Sequence, residues 1–364
     1  MKKAFARSVL CFALALAMCL LAGCAGTPVI YYSDCTCPTG AHVQTPENNT
    51  PNTPDTTAPT APAAEGALKT GLAMITKASK TEDANQVEYD VTVVAVTVDD
   101  KGVIVDCIID SVGAKAAINE NGEITTDLAA QILTKNELGD NYGMKAYGKA
   151  KYEWYEQAAA LANYAKGKTV EQLRSGAVNE SGKAADADLA STATIYLGGY
   201  VDCIEKAVAN AKHLGAQAGD ELKLAVINSL DGSANATAEK AGNAQLDCSV
   251  VALTVKDGKI TSCYLDAVQA KVAFDATGAI TTELPASVQT KNELGEGYGM
   301  KAWGKAQFEW NEQAASFAEY VTGKTAAEVN GIAVAEGKPS DADLSATVTI
   351  KIGDFQALIA KAMG

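Results

Sequence analysis

The chain repeats itself, and a fold for one half must serve for the other. Thr134-Lys135-Asn136-Glu137-Leu138-Gly139 returns as Thr290-Lys291-Asn292-Glu293-Leu294-Gly295, 156 positions later. The match continues through Tyr142-Gly143-Met144-Lys145-Ala146 and Tyr298-Gly299-Met300-Lys301-Ala302, and on to Gly167-Lys168 and Gly323-Lys324. Between 134–168 and 290–324, 24 of 35 positions are identical, far above chance, so the unit is duplicated. The copies span residues 66–212 and 214–364, each the size of a domain with one core.

The first copy predicts the fold of both. Leu68, Leu72 and Ile75 have helical spacing and predict an opening helix. Tyr89 to Val98 is dense in Val and Thr, Asp99-Asp100-Lys101-Gly102 turns the chain, and Val103 to Ile109 returns. That is a β-hairpin, echoed by Val250 to Val255, Lys256-Asp257-Gly258-Lys259 and Ile260 to Leu265. A second turn at Asn119-Glu120-Asn121-Gly122 separates 114–118 from 123–126. A long helix follows, with Tyr147, Lys151, Trp154, Ala158, Leu161 and Ala165 on one face and a stop at Gly167. Short strands at Thr192–Leu197 and Thr347–Ile352 precede the last helices, the first from Tyr200 to Ala211. The expected class is α+β: two tandem copies of an antiparallel sheet with packed helices.

Before the copies, residues 1–23 read as a signal peptide. Lys2, Lys3 and Arg7 precede an apolar run from Ser8 to Cys19, shorter than the ~20 residues a spanning helix needs. Leu21-Ala22-Gly23-Cys24 resembles the lipobox of bacterial lipoproteins, which makes Cys24 the lipidation site. From there to residue 65 the chain is Thr, Pro, Asn and Ala, too poor in large apolar residues to bury a core, and reads as a disordered stalk. Such a stalk spans roughly 35 Å root-mean-square. The expected location is extracytoplasmic, anchored to the outer face of the cell membrane through Cys24.

Composition then excludes chemistries. Lys+Arg 30 against Asp+Glu 44 gives a net charge of −14, which argues against a nucleic-acid partner. There are two histidines, His42 in the stalk and His213 between the copies. Ser-His-Asp, Cys-His and common zinc-hydrolase arrangements are therefore unavailable within a copy. Neither a Walker A loop nor a Gly-x-Gly-x-x-Gly loop is present. Cys107 and Cys263 fall at matching positions while Cys203 and Cys248 have no cysteine counterpart, so buried free thiols are expected rather than a repeated disulfide. Cys35 and Cys37 with His42 make a weak metal site, and no metal is assigned.

What remains lies just before each last helix. The first copy reads Asp186-Ala187-Asp188-Leu189-Ala190-Ser191-Thr192-Ala193-Thr194 and the second Asp341-Ala342-Asp343-Leu344-Ser345-Ala346-Thr347-Val348-Thr349. Acid, hydroxyl, small residue and threonine at this spacing resemble the flavinylation motif of the FMN-binding domain family. There the order is Asp, two variable residues, Ser, Gly, Ala and Thr, and a flavin transferase esterifies the FMN phosphate onto the final Thr. With the lipobox, stalk and tandem copies, the chain is similar to two-domain flavinylated electron-transfer lipoproteins of Gram-positive bacteria.

The resemblance implies covalent FMN on Thr194, with Asp188 and Ser191 as motif residues, and on Thr349 with Asp343. Shifted by two positions, Asp341 and Thr347 become the second pair. Thr192 and Thr347 stand where the family has Gly, and Ala346 stands where it has Ser. The implied partners are a flavin transferase, a quinone-linked membrane dehydrogenase as electron donor, extracellular electron acceptors, and the membrane through the lipid. Tyr142, Tyr147, Trp154, Tyr298, Trp303 and Trp310 are the aromatics available to stack on an isoalloxazine. Trp154 and Trp310 lie on the apolar helix face and read as core, which leaves Tyr142 and Tyr298, in a Gly-flanked loop, as the stacking candidates. The competing reading is a non-redox surface lipoprotein whose duplicated domain is a binding or structural module.

Overall fold

The computed structural model describes residues 66–81 and 85–364. The signal segment, Cys24, the stalk, Cys35, Cys37 and His42 lie outside the described residues.

The chain opens with three long antiparallel strands: β1 (Lys69–Lys80), β2 (Gln86–Val98) and β3 (Ile104–Ala117). The expected opening helix is thus a strand. Leu72, Met74 and Ala78 face one apolar layer while Ala73 and Ile75 face another, so both faces are buried and a helical spacing arose without a helix. β2 shows the same economy: Val87, Tyr89, Val91, Val93 and Ala95 point one way, and Val94, Val96 and Val98 the other.

A short helix α1 (Lys135–Leu138) and a 3-10 turn at Gly139–Tyr142 lead to α2 (Trp154–Ala165). The expected helix began at Tyr147; the observed one begins seven residues later. Glu153 and Glu156 form a reciprocal capping box at that point, and Lys149 just upstream has φ 53°, outside helical space. Then come α3 (Val170–Ala177), α4 (Ala187–Thr192) and α5 (Gly198–Ala209). The strand expected at 192–197 is absent: α4 ends at Thr192 and an irregular segment follows. Asp186 accepts from the N–H groups of Asp188 and Leu189 and so starts a helix ahead of the Thr-rich stretch.

The second copy repeats this plan. β4 (Glu221–Ser229), β5 (Gly242–Lys256) and β6 (Lys259–Phe274) form its sheet, and β7 (Ala286–Val288) leaves it to pair with β1 of the first copy. α6 (Lys291–Leu294), a 3-10 turn at Gly295–Tyr298, α7 (Trp310–Val321) and α8 (Ala326–Asn330) follow. A two-residue hairpin of β8 (Val334–Ala335) and β9 (Lys338–Pro339) precedes α9 (Ala342–Ser345) and α10 (Gly353–Met363). The strand expected at 347–352 is likewise replaced by α9 and an irregular stretch. The class is α+β, with antiparallel sheets and helices packed on them.

The two sheets share an inner core. Leu72, Val91, Val93 and Val112 from one meet Leu222, Val226, Val250 and Val268 from the other. Tyr89 is buried there, and its hydroxyl donates to the Ala244 carbonyl at 2.8 Å across the interface. The outer face of each sheet carries its own helices: Trp154, Leu161, Leu173, Val201 and Ile204 in the first copy, Trp310, Phe317, Val329, Phe355 and Ile359 in the second. The order of layers is helices, sheet, sheet, helices. The linker is tied in as well, Lys212 exchanging both backbone hydrogen bonds with Thr70. Cys107, Cys203, Cys248 and Cys263 are free and buried, as expected where no pair of cysteines recurs in both copies.

Candidate functional site

The repeated Thr-Lys-Asn-Glu-Leu block is a joint. Thr134 caps α1 and Glu137 returns the bond, and Thr290 and Glu293 do the same at α6. Asp110 on β3 accepts from the Asn136 N–H at 3.1 Å, and Asp266 on β6 from the Asn292 N–H at 3.2 Å, which ties each helix to its sheet. Burial pushes both carboxyls up, that of Asp266 to about 6.

From this joint the chain runs through a loop of fixed shape. Gly143 and Gly299, both at φ 82°, end the 3-10 turns in the left-handed region that glycine favours. The buried Glu153 carboxylate then accepts from the N–H groups of Met144 and Lys145 at 2.8 and 2.9 Å. Glu309 holds Met300 and Lys301 at 2.8 and 3.0 Å.

One turn further along α2 sits Gln157, fully buried. Its Nε2 donates to the Tyr152 carbonyl at 3.0 Å and lies 3.7 Å from the Met144 sulfur. Its Oε1 receives the N–H of Thr194 at 2.7 Å, the N–H of Ile195 at 3.1 Å and the Thr194 hydroxyl at 3.2 Å. Gln313 repeats this with Thr349 at 2.8 and 3.2 Å and Ile350 at 3.2 Å. The neighbours of the two threonines differ, Ser191 against Ala346 and Ala193 against Val348, while the grip on the threonine is the same. Thr194 and Thr349 are exposed.

The other motif residues have separate duties. Asp188 and Asp343 are exposed in the first turns of α4 and α9, whose caps are Asp186 and Asp341. The Ser191 hydroxyl donates to the Asp188 carbonyl at 2.7 Å, Thr192 to Leu189 at 3.1 Å and Thr347 to Leu344 at 3.4 Å. These three hydroxyls bond to carbonyls three residues back, whereas those of Thr194 and Thr349 bond to a glutamine of another helix.

Tyr142 and Tyr298 each have a lysine beside the ring. Lys135 lies 5.3 Å from the Tyr142 ring and 5.3 Å from that of Trp154, and Lys291 lies 5.0 and 5.1 Å from Tyr298 and Trp310. Trp154 and Trp310 are core residues, 2% and 6% exposed. Trp154 donates its indole N–H to the Tyr200 hydroxyl at 2.9 Å.

Lys183 donates to the Thr194 carbonyl at 2.7 Å, bringing a cation beside the site. α5 begins four residues after Thr194 with Gly198-Gly199, and the N–H groups of a first turn have no partner inside their helix. In the second copy the residue matching Gly199 is Asp354. Gln157, Gln313, Glu153 and Glu309 belong to none of the motifs read from the sequence. The available signal was their identity in both copies, as Glu-Trp-x-Glu-Gln at 153–157 and 309–313.

Among the described residues no cluster of three or more His, Cys, Asp or Glu side chains is placed to hold a metal, and no helix is long and apolar enough to cross a membrane. His213 pairs with Asp100 at 2.9 Å. Comparison with protein-family models, with curated proteins and with solved structures gives no match for the chain.

Proposed function

We propose that the protein is a lipid-anchored extracellular electron carrier with FMN joined by phosphoester to Thr194 and Thr349, passing electrons from a membrane dehydrogenase to external acceptors. The observation that carries the reading is the repeated grip of a buried glutamine on an exposed threonine. A duplicated chain has kept the position of one hydroxyl while its surroundings drifted.

The residues suit the group. With its proton directed at Gln157 Oε1, the Thr194 hydroxyl turns its lone pairs outward, toward an activated flavin nucleotide carried by a transferase. Oγ–P forms, the bond from phosphorus to the donor's leaving group breaks, and the hydroxyl proton leaves its bond to Gln157 Oε1 for a base that the transferase supplies. Gln157 Oε1 stays satisfied afterwards by the two backbone N–H groups. Lys183 and the opening of α5 set positive charge and free donors near the phosphate. The Asp354 carboxylate at the opening of α10 opposes an anion, so the first copy is the better site. A bound flavin supplies transfer of one or two electrons, and the chain's part is to hold and expose it.

The test is production in a host with the flavin transferase. The protein is then yellow after denaturation, and Thr194→Ala removes about half or more of the colour. A colourless wild-type protein from that host refutes the proposal and leaves the duplicated domain as a binding or structural module.

A further inference from the structure

Two large aromatic rings stand almost free in solvent at the same position of the two copies: Tyr147 is 87% exposed and Trp303 80%. Neither is loosely attached. Each ring lies down on the glycine of its own loop, so that a β-carbon on Gly143 would come within 2.6 Å of Tyr147 Cδ2, and one on Gly299 within 2.5 Å of Trp303 Cε3. The Tyr147 N–H donates to the Gly143 carbonyl at 2.9 Å, as Trp303 does to Gly299. The loop beneath is pinned by the buried carboxylates of Glu153 and Glu309. The result is a rigid, flat, solvent-facing apolar surface in each copy.

The exchange of Tyr for Trp identifies what has been kept. A hydroxyl at the ring edge is dispensable, and a planar π-face is not. The tie between the loop and the threonine is also kept: Gln157 bonds to the Thr194 hydroxyl and touches the sulfur of Met144, three residues before Tyr147, and Gln313 bonds to Thr349 and lies 4.0 Å from the sulfur of Met300, three residues before Trp303. Tyr196, two residues after Thr194, is exposed as well. Lys183 covers its face at 4.2 Å, and its counterpart in the second copy is Lys351.

We infer that Tyr147 and Trp303, rather than Tyr142 and Tyr298, are the stacking platforms for a planar heteroaromatic ring whose phosphate end is held at Thr194 or Thr349. The inference rests on the flavin reading for the identity of that ring, and its own content is where the ring lies. Stacked on indole or phenol, an isoalloxazine loses its emission, and a chain without the platform leaves it free.

The experiment uses the full chain in two states. Loaded with flavin in the Thr194→Ala background, so that only Thr349 reports, Trp303→Ala raises flavin emission severalfold at unchanged flavin mass. Tyr147→Ala does the same in the Thr349→Ala background, while Tyr142→Ala and Tyr298→Ala leave emission as it was. Unchanged emission at unchanged mass in the Tyr147 and Trp303 variants overturns the inference and leaves the covalent reading standing. If the wild type carries no flavin mass, the covalent reading falls, and the unloaded chain decides the platform. Trp303 is the one exposed tryptophan among the three, so its fluorescence reports ligand directly. Riboflavin, which has no phosphate to esterify, then quenches it saturably if the platform is real. Quenching that stays linear in riboflavin overturns it.

Discussion

Glu137 in the first copy and Lys361 in the second are 2.6 Å apart, and Glu293 in the second reaches Lys206 in the first at the same distance. The pairs are crossed, each copy giving one acid and one base. Each lysine also donates to a strand carbonyl of its own copy, Lys206 to Met74 and Lys361 to Val226, both at 2.6 Å. Burial raises the Glu137 and Glu293 carboxyls, and the lysines and capping bonds outweigh it, so both lie below the usual range. The duplicated helices are thereby registered against one another.

Breaking one crossed pair costs modestly. Both members are partly exposed, so Lys361→Met is expected to lose about 1 kcal/mol in urea unfolding, and the double variant with Lys206→Met about twice that. A single transition is expected in each case, because the inner core is common to both copies. Two separate transitions in the wild type would show that the copies unfold independently.

Gln157 is expected to matter more than its surface neighbours. Gln157→Leu leaves the N–H groups of Thr194 and Ile195 without their acceptor, at a cost of about 1–3 kcal/mol. In a host with flavin transferase the same variant loses flavin at Thr194 and keeps it at Thr349. Site-resolved peptide masses check this, and equal loss at both sites would mean a general failure to fold.

Asp266 gives the stability a recognisable pH dependence. Its carboxyl is raised by burial to about 6, above its value in the unfolded chain, so the folded state binds the proton more tightly between the two values. Stability therefore falls as pH rises from about 4 through about 6, by on the order of 3 kcal/mol, and is flat in this contribution on either side. Asp266→Asn removes that slope. Parallel stability-pH curves for wild type and variant, from denaturant unfolding, would contradict the assignment.

The four buried thiols are expected to be inert in the native protein. Burial pushes Cys203 and Cys248 up to about 12 and raises Cys107 and Cys263 as well, so almost no thiolate is present near neutral pH. Iodoacetamide modifies them in denaturant and not before, as counted by peptide mass.

The sheets were legible in the sequence wherever a turn signal flanked a β-branched run, as at Asp99-Asp100-Lys101-Gly102 and Lys256-Asp257-Gly258-Lys259. β1 was not, because a strand buried on both faces loses its alternation, and Leu72 and Ile75 then mimic a helix. The threonines at 192–194 suggested a strand by propensity, and Asp186 overruled it with a cap. Thr194 and Thr349 were visible as motif positions, whereas the glutamines that orient them were not. A buried glutamine satisfied by backbone groups 37 residues downstream leaves no local pattern. Tyr147 was misplaced on the helix face, since nothing in the spacing betrays that Glu153 restarts the helix.

The most direct test is the mass of the tryptic peptides that contain Thr194 and Thr349, taken from protein made by its own organism. The first, and to a lesser extent the second, is expected to be heavier by one esterified flavin mononucleotide. Peptides whose masses match their amino acids alone, in every preparation, would contradict it.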